Sequence, residues 1–379
     1  MNWIEEELKR LKRENLYRER IVLEGLRDFC SNDYLGLSKH PEVIEASEKV
    51  LKKVGLGSGA SQLVSGYTRY HRELEEKLAD FKKVERCVLF GSGYLANVGV
   101  IPSLVEKGDL IMSDELNHAS IIDGIRLSKA DRYVFKHLNY DEVEEFLERN
   151  RSKYRKVLII SDTVFSMDGD IANLKRLTEI CEKYDCMLYL DEAHATATIG
   201  RGGLDYFSIP FKDYIIVMGT LSKALGGYGA FICGSEKLIE YIINKARSLI
   251  FSTSLPPSVC AGVKKAIEIV EENPSLIKKL RIVEKKLIDI FKKLELNFKY
   301  HKTPIIPVIV YDEGKALKIR NELMREGIFI QAIRYPTVPK GKARLRLTAS
   351  LNYTEEDLNL LKEALEKIVE KERGLRRTS

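Results

Sequence analysis

Short apolar runs, each followed by a polar loop and then by a helix-like segment, recur along the chain and limit the folds open to it. Four of them are Cys87–Phe90, Val157–Ile160, Met187–Leu190 and Ile215–Met218. Apolar runs of this length that end in glycine or polar residues are typical of buried strands. Strands that alternate with helices predict an α/β fold with a mostly parallel sheet and a functional site at the strand ends.

The carboxyl-terminal part of the sequence changes pattern after Asn273 and Pro274, and the 379-residue length permits one large domain or two to three smaller ones. We therefore predict an N-terminal helix and arm at residues 1–40, a large α/β domain at 41–273 and a small α+β domain at 274–379.

Hydrophobic periodicity and turn residues predict the other elements. Predicted helices cover about 1–20, 41–54, 71–81, 174–184, 257–272, 275–293 and 314–326, with another beginning near 354. Predicted extended segments cover 21–23, 305–311, 328–333 and 343–348. Residues 343–348 alternate like a half-buried strand. Arg344 and Arg346 share one face of it and would be surface charges unless one of them reaches a carboxylate.

The charge balance argues against a nucleic-acid partner. Lysine and arginine number 62 against 56 acidic residues, and the net charge of +6 is dispersed along the chain rather than clustered. No uncharged apolar run reaches membrane-spanning length, and Met1–Leu8 resembles an acidic amphipathic helix start rather than a signal peptide. We expect a cytoplasmic protein with no membrane partner.

The cysteines show no Cys-x-x-Cys pair and no regular spacing, so we expect reduced and mostly buried thiols. They are Cys30, Cys87, Cys181, Cys186, Cys233 and Cys260. No His-Glu-x-x-His motif occurs either, and the cysteine spacing does not suit zinc. The sequence therefore predicts no metal site.

Lys223 lies just beyond the end of the predicted strand Ile215–Met218, in the run Gly219–Lys223. Three small residues follow it closely, namely Gly226, Gly227 and Gly229. A lone lysine is usually an ordinary surface residue. A lysine that anchors a carbonyl cofactor, however, needs partial burial and room for a flat ring, and this segment offers both.

A second predicted strand, Met187–Leu190, is followed by Asp191 and, three residues further on, by His194. A carboxylate at a strand end can hold a pyridine nitrogen in its protonated form, which makes the ring the electron sink that pyridoxal 5'-phosphate (PLP) chemistry requires. His194 could reach the other polar edge of such a ring. With Lys223, these residues favour PLP as cofactor.

Three further segments could serve the same cofactor, although each also has a purely structural explanation. Gly93 and Tyr94 lie where a strand turns into a helix, and their backbone N–H groups could bind a phosphate. His118 is either a capping residue or a ring stacked on a flat cofactor. Ser166 could bond a cofactor hydroxyl.

Other motifs fail on inspection. Asp191–His194 matches the letters of a helicase box, but both Gly-Lys pairs, at residues 314–315 and 341–342, are followed by alanine and cannot form a phosphate loop. Gly55–Ala60 resembles a dinucleotide fingerprint, yet a lysine-rich helix rather than a strand precedes it. A non-catalytic binding module would be expected to have lost Lys223 or Asp191.

The complete set of motifs resembles the α-oxoamine synthase family of fold-type I PLP enzymes. The matching segments, in the family's order and spread over nearly the whole chain, are Ser31–Pro41, Ser92–Asn97, Asn117–Ser120, Val164–Asp170, Asp191–His194, Gly219–Gly226, Ser252–Pro257 and Ala343–Arg346. The resemblance implies an aspartate aminotransferase-like transferase fold with a large mostly parallel sheet domain and a small α+β domain.

The resemblance also implies roles for individual residues around PLP. Lys223 forms the Schiff base, and Asp191 pairs with the pyridinium nitrogen. By the same resemblance, His194 and Ser166 bind the ring oxygen, and His118 stacks on the ring. Gly93, Tyr94 and Thr220 bind the phosphate, and Thr253 reaches it from a second subunit. The implied catalytic residues are Lys223, His118, Asp191 and His194, and the implied functional unit is a homodimer with shared sites.

Substrate contacts follow from the same resemblance. Arg346 takes the amino-acid carboxylate, and Arg18 and Thr337 meet the acyl substrate. Asn32 and His118 complete the implied substrate-binding set. Asp162 stands where relatives often carry glutamate, so the resemblance gives it no defined role.

Two branches of the family remain open. Val64–Tyr67, Ala332–Pro339 and the opening Met1–Trp3 with Arg18 and Arg20 are similar to enzymes that condense L-alanine with a pimeloyl thioester, carried on CoA or on a carrier protein, with loss of CO2. Asn117–Leu127 is as similar to a sibling branch that joins glycine to acetyl-CoA. In the condensation with L-alanine, Lys223 would remove the α-proton.

Overall fold

The computed structural model describes residues 2–377, with the side chains described as far as Lys371. Two compact units make up this part of the chain. The larger unit comprises Leu35–Ser166 and Asp170–Lys278. The smaller unit comprises Met167–Gly169 and the described residues of Met1–Tyr34 and Lys279–Ser379.

The helices, in chain order, are α1 (Asn2–Arg13), α2 (Pro41–Val54), α3 (Arg69–Lys82), α4 (Gly93–Leu104), α5 (Ala119–Leu127), α6 (Tyr140–Asn150), α7 (Leu174–Tyr184), α8 (Gly203–Phe207), α9 (Glu236–Lys245), α10 (Arg247–Ile250), α11 (Pro257–Glu272), α12 (Ser275–Lys293), α13 (Glu313–Arg325) and α14 (Glu355–Arg377). The strands are β1 (Arg27–Asp28), β2 (Arg86–Phe90), β3 (Leu110–Asp114), β4 (Asp131–Phe135), β5 (Val157–Asp162), β6 (Met187–Asp191), β7 (Ile215–Thr220), β8 (Ala230–Gly234), β9 (Ile305–Tyr311), β10 (Ile328–Phe329), β11 (Gln331–Ile333) and β12 (Ala343–Thr348).

The larger unit is built on a seven-stranded sheet in the order β2-β8-β7-β6-β5-β3-β4. Strands β7, β6, β5, β3 and β4 pair in parallel, whereas β8 is antiparallel to both of its neighbours. Strand β2 therefore runs in the same direction as the parallel set. The carboxyl ends of β2, β3, β5, β6 and β7 consequently meet at one edge of the sheet, where ligand sites of α/β folds form.

The central strands are apolar because helices cover them. Every residue of β5 and β7 is buried, and α4 and α5 pack on one face of the sheet. The core on that face includes Val100, Ile101, Ile121, Ile125, Leu158, Ile160 and Ile216. This packing fixes the position of the polar residues at the strand ends.

Most predicted elements of the larger unit are confirmed, and the helices predicted at 41–54, 174–184 and 257–272 have the predicted bounds. The first helix was predicted to reach residue 20 but ends at Arg13, and no strand covers 21–23. Strands β3, β4 and β8 were not predicted. In β4, two of five residues are charged and three are exposed, so an apolar run is missing there.

The prediction that all six cysteines are reduced is wrong for two of them. Cys87 and Cys233 form a disulfide between the antiparallel strands β2 and β8, with their Cα atoms 4.2 Å apart. The reason is the register: the two residues lie directly opposite each other, at the close spacing of a non-hydrogen-bonded antiparallel pair. Cys181, Cys186 and Cys260 are buried free thiols, and Cys30 is a half-buried one.

The smaller unit contains the antiparallel sheet β11-β12-β9 and the short parallel pair β1-β10. The prediction that β12 is half-buried is wrong, because all six of its residues are buried. Arg344 and Arg346 are only 4% and 6% exposed. Arg344 pairs with Asp168 at 2.7 Å, and Arg346 donates to Asn32 at 3.0 Å. Such partners are what allow a guanidinium to be buried.

None of the helices within residues 2–377 is long and apolar enough to cross a membrane.

Candidate active site

A cavity of about 120 Å³ lies at the carboxyl edge of the large sheet. Its lining comprises Gly93, Tyr94, His118, Ser120, Asp162, Ser166, Asp191, Ala193, His194, Met218, Thr220, Ser222 and Lys223. Eight residues predicted to serve a cofactor are thus brought together from five different strand ends. The parallel direction of β2, β3, β5, β6 and β7 is the cause, since it places the residues that follow each strand at the same edge.

Asp191 is the last residue of β6, and its carboxylate is buried and held from two sides. Oδ1 accepts a hydrogen bond from the backbone N–H of Ala193 at 2.9 Å. Oδ2 accepts one from Nδ2 of Asn97 at 2.9 Å. These bonds fix the orientation of a charged group that faces the cavity, which suits the role proposed for it opposite a pyridinium nitrogen.

The beginning of α4 forms the second side of the cavity. Ser92 caps this helix, because its Oγ accepts a bond from the Leu95 N–H at 3.1 Å. The N–H groups of the first helical turn have no partner further back in the helix, and together with the helix dipole they favour an anion. A Cβ atom on Gly93 would lie 2.9 Å from Cγ2 of Thr220, so glycine is needed where these two predicted phosphate contacts meet.

Lys223 is half-buried and follows β7 on a tight turn. The Leu221 N–H donates to Gly229 O, and the Gly226 N–H donates to Lys223 O, each at 2.9 Å. Gly226 has a φ of 66°, and a Cβ atom there would lie 2.2 Å from the backbone nitrogen of Ser38. The turn that presents Lys223 therefore depends on glycine both for its conformation and for its packing.

His118 caps the beginning of α5 and lines the cavity. Its Nδ1 accepts the Ser120 N–H at 3.2 Å and lies 2.7 Å from Ser120 Oγ. Loss of solvation of the ring lowers its pKa, an effect that the charge of Asp191 opposes and that of Lys223 reinforces. The residue as a whole is exposed, and it is one of the residues that line the cavity.

Ser166 and His194 also line the cavity, on the segments that follow β5 and β6. His194 is buried, and Ser166 is half-buried. Both residues thus lie in one cavity with Asp191 and Lys223, and their contacts to a cofactor hydroxyl stay a prediction.

Asp162, for which the sequence suggested no role, is part of the cavity as well. It ends β5, and its Oδ2 accepts the backbone N–H of His118 at 3.0 Å. Burial raises the pKa of this carboxyl well above its ordinary value, and the negative charge of Asp191 raises it further. Burial and the nearby negative charge thus both favour the protonated form of Asp162 over its ionised form.

Asn97 was missed by the sequence analysis as a functional residue, although it was part of a family motif. It is fully buried in α4 and bonds both Asp191 and Ser120. A signal was available, because an asparagine inside an otherwise apolar helix needs polar partners.

The remaining predicted residues do not line this cavity. Thr253 is exposed in the larger unit, where it forms an isolated bridge with Ser61. The other four belong to the smaller unit and contact one another in pairs: Arg18 with Thr337 at 3.4 Å, and Arg346 with Asn32 at 3.0 Å. Their substrate roles stay predictions.

The donor set of the cavity fits PLP. A helix N-terminus for the phosphate, a fixed carboxylate, a lysine and an imidazole beside them are the groups that this cofactor requires. Among residues 2–377, no group of three or more histidine, cysteine, aspartate or glutamate side chains is arranged to hold a metal ion.

Comparison with known proteins identifies the class to which this fold and cavity belong. The model of the aminotransferase class I and II family matches residues 24–367, and the chain belongs to this family. A protein of Aquifex aeolicus is 73% identical over 369 residues, which cover 97% of this chain and 99% of the relative, and carries the provisional name 8-amino-7-oxononanoate synthase.

Two solved structures extend the comparison. A serine palmitoyltransferase from S. paucimobilis with PLP and myriocin bound has a TM-score of 0.90 and 26% identity, and the match covers 98% of each chain. The 8-amino-7-oxononanoate synthase of Francisella tularensis has a TM-score of 0.75 and 29% identity, over 92% of this chain and 99% of that one. The predicted fold-type I PLP transferase fold and the resemblance to α-oxoamine synthases are confirmed.

Proposed function

We propose that the protein is a PLP-dependent acyltransferase that condenses L-alanine with a pimeloyl thioester to give 8-amino-7-oxononanoate, CO2 and the free thiol. In this reaction the bond between the α-carbon and the acyl carbon forms, the C–S bond breaks, and the carboxyl group of alanine leaves as CO2. The observation that carries the proposal is the single cavity in which Lys223, Asp191, His118 and the beginning of α4 meet. The name of the 73% identical relative supports the choice of substrates.

Different residues of the cavity would hold different parts of the cofactor. Gly93, Tyr94 and Thr220 would hold its phosphate, and Asp191 would face its ring nitrogen. His118 would stack on the ring, while His194 and Ser166 would bind the ring hydroxyl. When bound, PLP supplies an electron-poor ring that spreads the negative charge formed at the substrate α-carbon.

Lys223 is the residue that moves the proton. Its Nζ would hold the cofactor in the resting enzyme and would then serve as general base towards the α-carbon of alanine. The turn between Leu221 and Gly229 gives this side chain a fixed origin, which positions the amine for both tasks. Burial and the charge of Asp191 raise the pKa of Asp162 beside His118, which disfavours a second negative charge in the cavity.

Substrate contacts are assigned to residues of the smaller unit. Arg346 is proposed to bind the carboxylate of alanine, for which a guanidinium offers two parallel N–H donors. Arg18 and Thr337 lie within 3.4 Å of each other, which supports their joint assignment to the acyl substrate. Asn32, the hydrogen-bond partner of Arg346, completes this set.

We further propose that two copies of the chain form a homodimer, with Thr253 of each reaching the phosphate in the other. Thr253 is exposed and lies on a segment that is tied to residues 58–61 through Ser254. Large apolar side chains on and near these segments are exposed, among them Leu56 (81%), Val64 (79%) and Phe251 (70%). Apolar exposure of this extent is typical of a surface that another chain covers.

The test combines spectroscopy with product formation. Purified protein is reconstituted with PLP, its visible absorbance is recorded with alanine and then with glycine, and a panel of acyl-CoA thioesters is scored for thiol release. We expect a visible band that borohydride removes, and thiol release with alanine plus pimeloyl-CoA. Release only with glycine plus acetyl-CoA would assign the protein to the sibling branch.

A lysine variant tests the base. Lys223→Ala should abolish turnover and the borohydride-sensitive band while the thermal unfolding of the apo-protein stays close to wild type. Lys245→Ala, at an exposed position at the end of α9, is the matched control and should keep full activity. Retained activity in Lys223→Ala would contradict the assignment.

A further inference from the structure

Asn97 connects three elements of the larger unit that carry cavity residues. It lies in the second turn of α4, the helix that begins at Gly93. Helices α4 and α5 pack closely, and a Cβ atom on Gly124 of α5 would lie only 2.7 Å from the carbonyl oxygen of Asn97. The Asn97 side chain bonds Ser120 of α5 and Asp191 at the end of β6, and it therefore lies between these two elements.

The amide of Asn97 uses both of its donor hydrogens. Nδ2 donates to Asp191 Oδ2 at 2.9 Å and to Ser120 Oγ at 2.8 Å. Its Oδ1 accepts the hydroxyl hydrogen of Tyr189 at 2.7 Å. Asn97, Ser120, Tyr189 and Asp191 are all buried, so no water competes for these bonds.

The Tyr189 bond fixes the direction of the amide. Tyr189 and Asp191 are two residues apart on β6, so both side chains leave the same face of the sheet. The hydroxyl group of Tyr189 can donate its hydrogen only to an acceptor. The oxygen of the Asn97 amide, rather than its NH2 group, must therefore face Tyr189. The NH2 group is thereby left facing Asp191 and Ser120.

The network continues to His118. Because Ser120 Oγ accepts from Asn97, its own hydrogen is available for Nδ1 of His118, 2.7 Å away. Nδ1 also accepts the Ser120 backbone N–H at 3.2 Å, so it carries no hydrogen and the neutral ring has its proton on Nε2. One amide thus faces the carboxylate and, through Ser120, sets the tautomer and orientation of the imidazole.

We propose that Asn97 is a positioning residue that holds the Asp191 carboxylate and the His118 ring in a fixed mutual orientation, so that the ring nitrogen and the ring face of one PLP molecule are recognised together. The inference rests on the proposed use of PLP. Asn97 does not touch the reacting atoms and acts through its two neighbours. Other charged or titratable groups that line the same cavity are Tyr94, Asp162, His194 and Lys223.

The test compares variants along the network with a control outside it. Asn97→Ala removes both donors, Ser120→Ala removes only the branch to His118, and Tyr189→Phe removes only the fixation of the amide. The control is Asn244→Ala, in which an exposed asparagine of α9 loses its bond to Glu240 O. Each apo-protein is titrated with PLP, and thermal unfolding of the apo-protein and the pH midpoint of the visible band of the reconstituted protein are measured.

Asn97→Ala should weaken PLP binding by at least about tenfold, as expected for the loss of a hydrogen bond to a charged group, and should shift the pH midpoint of the visible band by about one unit. Ser120→Ala and Tyr189→Phe should each produce smaller changes in the same two quantities. Asn244→Ala should change neither quantity.

Two outcomes would overturn the inference. In the first, Asn97→Ala binds PLP and titrates like Asn244→Ala. In the second, apo-protein stability falls but the pH midpoint stays at the wild-type value in all three network variants, which would mean that the network only supports packing. Failure of the wild-type protein to bind PLP would instead overturn the proposed function and its premise here, so the two kinds of failure are distinguishable.

Discussion

Asp162 and Asp191 lie directly opposite each other at the ends of the neighbouring strands β5 and β6, yet their surroundings differ. Asp191 accepts N–H bonds from Asn97 and Ala193, one on each oxygen. Asp162 accepts a single backbone N–H, from His118, and burial together with the charge of Asp191 raises its pKa well above the ordinary value.

The difference shows that position at a strand end does not by itself determine what a carboxyl group does. A negative charge on one carboxyl group disfavours ionisation of a carboxyl group beside it. Burial and the charge of Asp191 raise the pKa of Asp162, whereas Asp191 has an N–H donor on each oxygen. One strand end thus presents a carboxylate to the cavity, and its neighbour presents a carboxyl group whose protonated form is favoured.

The largest effect on activity is expected from Asp191→Asn, because a neutral amide cannot offset the positive charge of a protonated ring nitrogen. We expect the rate of thiol release from the acyl donor to fall by at least about 100-fold, with only a small change in the thermal unfolding of the apo-protein. Asp213→Asn, at an exposed position before β7, is the control and should keep wild-type activity. A fall of only a few-fold in Asp191→Asn would remove the functional contrast between the two aspartates.

The next largest effect concerns a third carboxylate at the same strand end, Glu192, which accepts a backbone N–H from Gly203 at 2.7 Å and also pairs with a buried lysine. Lys82 and Glu192 are 4% and 1% exposed and pair at 2.5 Å. Lys82→Met would leave a buried charge without its partner, and we expect the free energy of unfolding to fall by about 3–5 kcal/mol. Chemical denaturation measures this fall.

A partly exposed pair on the same helix provides the control for Lys82→Met. Lys77 and Glu271 are 24% and 34% exposed, and Lys77→Met should cost about 1 kcal/mol or less. Equal losses of unfolding free energy in the two variants would show that the cost of removing the lysine does not depend on how deeply the ion pair is buried.

A smaller loss of stability is expected from replacing a histidine that bonds two carboxylates at once. Burial lowers the pKa of His137, but its bonds to Asp114 and Asp170 outweigh this and raise the pKa to about 10. The stabilisation is therefore complete below the ordinary histidine pKa near 6.5 and is lost as the pH rises through about 10. His137→Gln should lower the free energy of unfolding by about 1–3 kcal/mol at pH 6.

The pH dependence is the decisive measurement for His137. The difference between wild type and His137→Gln should shrink as the pH is raised from 6.5 towards 10, whereas His301→Gln, at an exposed histidine, should show no such trend. A difference that stays constant with pH would mean that His137 is not held as a cation by the two carboxylates.

The smallest effect on activity is expected from Asp162→Asn, because asparagine imitates a protonated aspartate. Activity near neutral pH should stay within about threefold of wild type, since the charge of the cavity is unchanged. A raised pKa means that wild type loses stability as the pH rises from the ordinary aspartate pKa towards the raised one, because the folded state must keep its proton there. Asparagine has no proton to lose.

Thermal unfolding between pH 5 and pH 8 checks this second effect. The stability of Asp162→Asn relative to wild type should increase with pH over this range. Parallel curves for the two proteins would show that Asp162 is ionised in the fold, and the comparison with Asp191 would then have to be abandoned.

The sequence was sufficient to locate the parts of the site that depend on local pattern. Lys223 and Asp191 each follow a buried apolar run, and His118 begins a helix, so their meeting at one sheet edge could be predicted from the parallel strand order. Residues whose role depends on three-dimensional contacts are harder to find in this way. The raised pKa of Asp162 depends first on burial and then on the nearby charge of Asp191. The apolar surroundings of Asn97 in its helix indicated a need for polar partners, but not which residues those partners are.

The same limit applies to the fold. Strand β8 is antiparallel, and its pairing with β2 through Cys87 and Cys233 joins positions separated by 146 residues, a distance at which no local pattern indicates register. Arg344 was expected at a surface unless a carboxylate was near. Its partner, Asp168, is distant in the sequence, so no local pattern indicates this ion pair.

The disulfide between β2 and β8 also has a topological consequence. Every residue that lines the cavity, from Gly93 to Lys223, lies between Cys87 and Cys233 along the chain. The covalent structure is thus a closed ring that contains the complete cavity lining, with two open tails outside it. A single backbone cut anywhere within the ring would therefore release no fragment. The disulfide would keep every cavity residue covalently part of one molecule.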